Sequence, residues 1–230
     1  MPLTRPGAAP KVGLMNLLER ASNRAKYTAM RAGILARALL PSTRTAYFKD
    51  LYSANNDPWN LDAADPQRTA WKYDWVLERL QRERYQRAFE LGCGNGNFTK
   101  LLALRCDEVV ASDIAPAAIE EARRRVTMAN VQFQQGDIIE DVFPTERYDL
   151  ILAQEVLYFV PWHKAFAVCK KLVDGLMPNG ELVIAELDGG SISAMHHRVL
   201  PRLIPLVHEE RVLRPQGRRV VQKTFRKPKA

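Results

Sequence analysis

The fold of this chain is decided by one stretch, residues 89–99, which reads Phe89-Glu90-Leu91-Gly92-Cys93-Gly94-Asn95-Gly96-Asn97-Phe98-Thr99. Residues 87–91 predict a short buried strand, and residues 98–104 carry apolar side chains at helical spacing. A glycine turn between a strand and a helix lets backbone N–H groups approach a ligand, because no Cβ stands in the way. The stretch therefore predicts a strand, a ligand-binding loop and a helix.

The spacing of the glycines narrows the choice of ligand. A dinucleotide fingerprint needs a third glycine five residues after Gly92, and that position is Asn97. The pattern here is G-x-G-x-G, with an acid, Glu90, two residues before the first glycine. A nicotinamide-dependent dehydrogenase is therefore the least favoured class of enzyme.

Further strands are predicted after the loop, with helices between them. Alternating strands and helices imply a parallel sheet with right-handed crossovers. The predicted helices cover residues 64–84, 116–128, 161–176 with Phe166 facing inward, and a short stretch that ends at Leu203. The predicted strands cover 109–113, 131–135 and 148–153, and residues 176–185 predict a turn followed by a fifth strand. An antiparallel pair, 206–213 and 218–225, is predicted to follow.

Several polar residues and glycines fall at or just beyond the ends of these strands: Gly92, Gly94, Asp113, Asp137 and Glu155. In open α/β sheets, ligands bind at the carboxyl ends of the strands, near the switch in strand order. Asp113 comes 21 residues after Gly92, where an acid can accept both hydroxyls of a ribose. Simpler structural roles are helix capping for Asp113, a turn for Asp137 and a buried structural carboxylate for Glu90.

Length and composition fit one α/β domain with an appendage, since the chain has 230 residues. Its three cysteines, Cys93, Cys106 and Cys169, lack paired spacing, which argues against a disulfide framework and a zinc site. No metal is predicted. A reducing cytoplasm is the expected location, with no membrane span and no signal peptide.

The net charge of +8 is spread unevenly. Residues 1–51 hold nine basic and two acidic side chains, and residues 198–230 hold ten basic and two acidic ones. The segment between them holds 15 basic and 22 acidic side chains. Basic ends suit an anionic partner such as nucleic acid or a membrane surface, and solvated faces are the simpler explanation.

The N-terminal segment is expected to differ from the rest. Residues 1–13 are rich in proline and glycine and predict disorder, whereas residues 16–40 predict a basic helix with an imperfect apolar stripe. That helix suits peripheral contact with a membrane surface or, as the preferred alternative, packing on its own domain or a second subunit. The oligomeric state is left open.

This series of motifs, over residues 88–188, resembles the class I S-adenosylmethionine-dependent methyltransferases. Asp57-Pro58-Trp59, Lys72-Tyr73 and Glu155-Val156-Leu157-Tyr158-Phe159 are similar to the nodulation protein S (NodS) group, which extends the likeness to residues 46–188. A proline-glycine-glycine turn is more usual in that group than Pro178-Asn179-Gly180, but asparagine tolerates left-handed backbone. The NodS namesake methylates the free amine of a partly deacetylated chitooligosaccharide.

The resemblance implies a fold class and a division of the chain. The fold is α/β, a doubly wound, mostly parallel seven-stranded sheet (a Rossmann-like methyltransferase fold) with an N-terminal helical extension. The extension covers residues 1–45 and the methyltransferase domain residues 46–230.

The resemblance also implies the cofactor, S-adenosyl-L-methionine, and the residues that bind it. The loop would pass under the methionine part, Glu90 would orient the loop and the amino group, and Asp113 would take the ribose hydroxyls. Asp137 would accept a hydrogen bond from the adenine amino group. The full predicted set is Glu90, Gly92, Cys93, Gly94, Gly96, Asp113, Ile114, Asp137, Ile138 and Gln154.

Methyl transfer needs an acceptor held in line with the sulfur and methyl group, and a group that removes a proton. Glu155 follows the fourth strand and is the predicted base or substrate-orienting group; capping the next segment and binding the methionine amine are alternatives. Other candidate bases are His163, His196, His197 and His208. Trp59, Tyr73 and Tyr158 are predicted to bind substrate, with core packing as the alternative.

The leading functional prediction is transfer of a methyl group to an amine or hydroxyl of a small polar acceptor, such as an amino sugar or oligosaccharide. A nucleic-acid methyltransferase is an alternative suggested by the basic ends. Against it, residues 153–156 lack the aromatic-proline tetrad that grips a flipped base. A non-catalytic S-adenosylmethionine-binding protein is the third hypothesis.

Overall fold

The structure, a computed structural model, describes residues 41–55, 57–59, 66–188, 194–213 and 219–229. The predicted disordered segment and the predicted helix over residues 16–40 lie outside this part of the chain. The first described helix begins at Pro41, before the predicted boundary at residue 45, and the division into extension and domain stays a prediction.

The described elements alternate as the sequence predicts. The helices are α1 (Pro41–Ala54), α2 (Pro66–Glu78), α3 (Asn97–Leu102), α4 (Pro116–Arg125), α5 (Ala165–Gly175) and α6 (Ala194–Leu203). The strands are β1 (Tyr85–Leu91), β2 (Cys106–Asp113), β3 (Val131–Gln135), β4 (Tyr148–Gln154), β5 (Leu176–Leu187), β6 (Leu206–Leu213) and β7 (Arg219–Arg226).

The strands form one seven-stranded sheet in the order β3-β2-β1-β4-β5-β7-β6. Strands β1 to β5 pair in parallel, and β7 runs antiparallel to both β5 and β6. The chain builds outward from β1 to β3 and then returns to β4 on the other side of β1. This is the switch in strand order at which ligands bind in such sheets, and it confirms the predicted doubly wound, mostly parallel fold.

Apolar side chains cover both faces of the sheet. Neighbouring strand residues point to opposite faces, so Ala88 and Leu150 join a cluster with α2, α3 and α4. Phe89 and Ile151 join a second cluster with α5 and α6. Two buried cores therefore hold β1 and β4 in the middle, and the loops after them are carried by a rigid frame.

Two predictions about helices are wrong. The predicted helix over residues 64–84 ends at Glu78, because the Arg105 side chain donates hydrogen bonds to the carbonyls of Leu77 and Arg82, at 3.4 and 2.7 Å. Phe166 does not face inward and is 58% exposed. The buried stripe of α5 starts at Ala165, and the neighbouring residue points away from it.

The backbone of Asn179 agrees with the prediction that asparagine can take the place of glycine in the turn Pro178-Asn179-Gly180. Its backbone has a φ of 63°, the left-handed conformation that asparagine tolerates better than most residues. The asparagine thus replaces glycine without disrupting β5. Among the described residues, none of the helices is long and apolar enough to cross a membrane.

Candidate cofactor site and active site

The glycine loop turns the chain from β1 into α3. Gly92, Gly94 and Gly96 have positive φ angles of 74, 53 and 80°. A Cβ on Gly92 would lie 2.8 Å from Cγ2 of Val156, so glycine is needed there for space as well as for conformation. The loop therefore brings its backbone close to the neighbouring β4 segment.

Hydrogen bonds to β2 fix the loop. The N–H groups of Gly92 and Cys93 donate to the Ser112 carbonyl, at 2.8 and 3.0 Å. Gly94 N–H donates to Asp113 Oδ2 at 3.0 Å, and Ala115 N–H donates to Oδ1 at 2.9 Å. Asp113 thus holds the loop and the turn that leads into α4.

Asp113 still has capacity for a ligand. An ionised carboxylate offers about four acceptor positions, so the backbone bonds from Ala115, Gly94 and Ile114 leave room for a further donor. Burial raises the pKa of Asp113, and the N–H groups around it oppose that shift. The helix start at Pro116 has no side-chain cap, so the structure does not support the capping alternative, and ribose binding by Asp113 stays a prediction.

Glu90 and Gln154 present buried polar atoms at the carboxyl ends of the two central strands. Glu90 is 4% exposed, and its Oε2 has no hydrogen-bond partner within the described ranges. The same is true of both side-chain amide atoms of Gln154. Burial raises the pKa of Glu90 to about 7, the Thr99 side chain opposes this, and the Asp113 charge adds to it. Such a carboxylate suits a bound cation, because an ammonium would provide the missing donors.

Asp137 lies in the turn after β3 and is already paired. Its Oδ1 accepts a hydrogen bond from Ile139 N–H at 2.9 Å, and its Oδ2 is paired with the Arg44 guanidinium of α1. Ile114 and Ile138 are half-buried. Ile114 packs on the cluster around α1 and α4, and Ile138 packs on the α5 side.

Tyr52 is a further residue at the loop that the sequence prediction missed. A Cβ on Gly94 would lie 3.2 Å from the Tyr52 hydroxyl oxygen, which also accepts a hydrogen bond from Trp59 Nε1 at 3.0 Å. Burial, together with the Asp113 charge, raises the pKa of Tyr52 above its usual range. No motif marks Tyr52 or Arg44. The packing of α1 brings Tyr52 to the glycine loop and Arg44 to the turn after β3.

Glu155 is held in a left-handed backbone conformation, with a φ of 52°. Its N–H donates to the Ala185 carbonyl at 2.9 Å. Its Oε1 lies 3.3 Å from Lys72 Nζ of α2, and its Oε2 accepts from Leu187 N–H at 3.2 Å. The side chain, 17% exposed, therefore has a fixed position between β4, β5 and α2.

The three aromatic candidates divide into two places. The rings of Trp59 and Tyr158 lie 5.8 and 4.4 Å from the Phe159 ring. The Tyr73 ring lies 5.5 Å from Phe98 at the start of α3. Trp59 and Tyr158 thus meet around Phe159, whereas Tyr73 contacts the helix that follows the glycine loop.

The histidines fall in different environments. His163 is exposed, and His208 Nε2 lies 3.9 Å from a Glu210 oxygen. His196 and His197 both contact Glu186 Oε1, at 2.8 and 2.5 Å. Burial opposes ionisation of Glu186, but the two histidines outweigh it and keep the pKa of this carboxyl below its ordinary value. The sequence prediction missed Glu186, although the paired histidines were a signal.

Comparisons with known proteins place this chain in a family. The model of the family "Nodulation protein S (NodS)" matches residues 44–192. Nodulation protein S of Bradyrhizobium diazoefficiens is 33% identical over 136 residues, which are 56% of this chain and 62% of that protein. A trans-aconitate 2-methyltransferase of Methylobacterium nodulans is 32% identical over 130 residues, 56% of this chain and 48% of that protein. The chain thus spans less than two thirds of the length of each of these relatives.

A solved structure shows the same fold. The N-methyltransferase NodS from Bradyrhizobium japonicum WM9, in complex with S-adenosyl-L-homocysteine, matches with a TM-score of 0.70 at 24% identity. The match covers 79% of this chain and 98% of that one. With the family match over most of the described core, the chain belongs to the nodulation protein S (NodS) family.

Proposed function

We propose that the chain binds S-adenosylmethionine and transfers its methyl group to an amine of a small polar acceptor, an amino sugar or oligosaccharide. The observation that carries the proposal is the buried, unpartnered Glu90 oxygen beside the glycine loop. A carboxylate in such a place is costly unless a cation or donor binds it. The α-ammonium group of the cofactor provides both a positive charge and hydrogen-bond donors.

The residues around the loop suit the rest of this cofactor. Asp113 has acceptor capacity for ribose hydroxyls, and the unpartnered amide of Gln154 can bond the amino-acid end. Asp137 lies at the end of β3, where its carboxylate can accept from an adenine amino group while Arg44 supports it. When bound, the cofactor supplies a methyl group on a positively charged sulfur.

Glu155 supports an amine as the acceptor. An amine must lose a proton on methylation, and a fixed carboxylate at the end of β4 can take it. Lys72 and the Leu187 N–H position the carboxylate. With the cofactor bound, its sulfonium would supply the methyl group to the acceptor nitrogen, and Glu155 would take the proton that this nitrogen loses.

A sugar acceptor has support from the family and from the aromatic residues. The namesake of the family acts on a chitooligosaccharide with a free amine, and the pair Trp59 and Tyr158 provides ring faces near Phe159. Flat aromatic faces pack well against the apolar faces of sugar rings. We therefore place the acceptor between Glu155 and these rings.

The test is labelled-methyl transfer to matched acceptors. One chitooligosaccharide carries a single free amine, its fully N-acetylated form is the control, and trans-aconitate represents a carboxylate acceptor. Label on the free-amine sugar alone supports the proposal. Label on trans-aconitate would overturn the amine assignment, and calorimetry without heat of S-adenosylmethionine binding would overturn the cofactor assignment.

A further inference from the structure

Glu186, His196 and His197 bring three metal-binding side chains to one point away from the glycine loop. One donor atom from each lies within 4.8 Å of the other two. We propose that these residues form a binding site for a divalent transition-metal ion such as Zn²⁺ or Ni²⁺. The proposal does not depend on methyl transfer.

The donor set matches the chemistry of such ions. Two imidazole nitrogens and one carboxylate oxygen are a ligand set that zinc, nickel and iron(II) accept in proteins. The charge also fits, because one carboxylate and two neutral imidazoles partly neutralise a divalent cation. Hard ions such as Mg²⁺ prefer oxygen ligands and suit this cluster less well.

The observed spacing requires only a small change to bind an ion. Oε1 of Glu186 lies 2.8 Å from His196 Nε2 and 2.5 Å from His197 Nε2. Metal–nitrogen bonds of about 2.0–2.1 Å place neighbouring donors roughly 3.0–3.4 Å apart. The Glu186 oxygen would therefore separate from each histidine nitrogen by less than about 1 Å, which side-chain rotation can provide.

Burial supplies a second, independent indication of a ligand. Glu186 is 1% exposed, and its second oxygen, Oε2, has no hydrogen-bond partner within the described ranges. Hydrogen bonds to the two histidines alone leave this buried oxygen without a partner. A metal ion bound at the cluster can be coordinated by both carboxylate oxygens of Glu186.

The position of the cluster gives the ion a structural role. Glu186 lies on β5, and both histidines lie on α6, so one ion would join the helix to the sheet. The next residue, Leu187, donates its N–H to Glu155. A bound ion would therefore stabilise the wall beside the proposed acceptor site.

Metal titration of the whole chain tests the proposal. The protein is made without a histidine tag, stripped with a chelator, and titrated with ZnCl₂ and NiCl₂ in the calorimeter; Co²⁺ gives a visible spectrum. We expect one ion per chain with micromolar or tighter affinity, and a thermal midpoint raised by several degrees at saturating metal.

Variants decide where the ion binds. His197→Ala and Glu186→Gln should each weaken binding by about a hundredfold or more, since even indirect partners of metal ligands contribute about 10–100-fold. His163→Ala and His208→Ala are matched controls outside the cluster and should bind as the parent does. His197, the more exposed histidine of the cluster, decides the question if Glu186→Gln fails to fold.

Two outcomes would overturn the proposal. One is a parent protein that binds neither metal more tightly than about 100 µM. The other is a folded His197→Ala variant that binds like the parent, which would place the ion elsewhere. In either case the cluster is a hydrogen-bonded link between α6 and β5.

Discussion

The guanidinium of Arg44 is paired with the carboxylate of Asp137, although 93 residues separate them in the chain. Both side chains are largely buried, at 6% and 15% exposure. The pair joins α1 to the turn after β3, next to the proposed adenine site. It ties the segment before the central sheet to the carboxyl end of β3.

Arg44→Met should destabilise the protein. Removing one partner of a buried ion pair leaves the other charge uncompensated, so the free energy of unfolding should fall by about 3 kcal/mol. Urea denaturation measures this, and Lys49→Met, an exposed cation on the same helix, is the control. Adding Asp137→Asn should recover part of the loss; two independent, additive losses would show that the pair contributes little.

Glu90 should make the stability of the ligand-free protein depend on pH. Its pKa rises from 4.5 to about 7 on folding, so the folded state holds the proton more tightly than the unfolded state. The free energy of unfolding should therefore fall as pH rises from about 4.5 to about 7, by on the order of 3 kcal/mol, and then level off. Glu90→Gln removes this contribution. The prediction would be contradicted if urea denaturation gave parent and variant the same dependence of the free energy of unfolding on pH.

The same residue should make cofactor affinity depend on pH. An ammonium binds the ionised carboxylate, so S-adenosylmethionine affinity should rise about tenfold per pH unit below 7 and fall again above about pH 8, where the α-ammonium loses its proton. Binding near pH 6 should release a proton, which calorimetry in buffers of different ionisation enthalpy detects. Glu90→Gln should bind more weakly and without this pH dependence. Proton release that persists in the variant would assign it to another group.

Asp113→Ala should weaken both cofactor binding and folding. Lost hydrogen bonds to the ribose should reduce S-adenosylmethionine affinity by about ten- to a hundredfold. The N–H groups of Gly94 and Ala115 also lose their acceptor, which should cost about 1–3 kcal/mol of stability in the ligand-free protein. Asp107→Ala, on an exposed position of the same strand, is the control. Unchanged affinity would remove Asp113 from the cofactor site.

Glu155→Gln should reduce turnover by about 10²–10⁴ while cofactor affinity stays the same. The loss should shrink at high pH, where an amine acceptor loses its proton unaided. Lys72→Met should have a smaller effect, because Leu187 N–H still holds the carboxylate. Steady-state kinetics with the free-amine sugar measures both variants. Rescue of Glu155→Gln by saturating cofactor would instead mean that Glu155 binds the cofactor.

Much of the fold could be predicted because its signals are local. The alternation of strands and helices, the glycines of the loop and the acids after the strands depend on neighbours in sequence. Positive φ angles at Gly92 and Asn179 follow from which residues tolerate left-handed backbone. The predicted end of α2 was wrong because the Arg105 side chain, distant in sequence, bonds the chain there. Phe166 was wrongly placed in the core because it lies one residue away from the buried stripe of α5.

The sequence by itself thus determined the order of strands and helices, the doubly wound class of sheet and the place of the loop at the end of β1. Only the tertiary structure decided that Tyr52 reaches the loop and Arg44 reaches Asp137. It also decided that Glu155 lies between Lys72 and β5, and that Glu186 meets two histidines. These relationships join residues far apart in the chain, so no spacing rule contains them. The pKa of Glu90 likewise depends on the tertiary structure, because it is set by how completely the folded protein removes the carboxyl group from water.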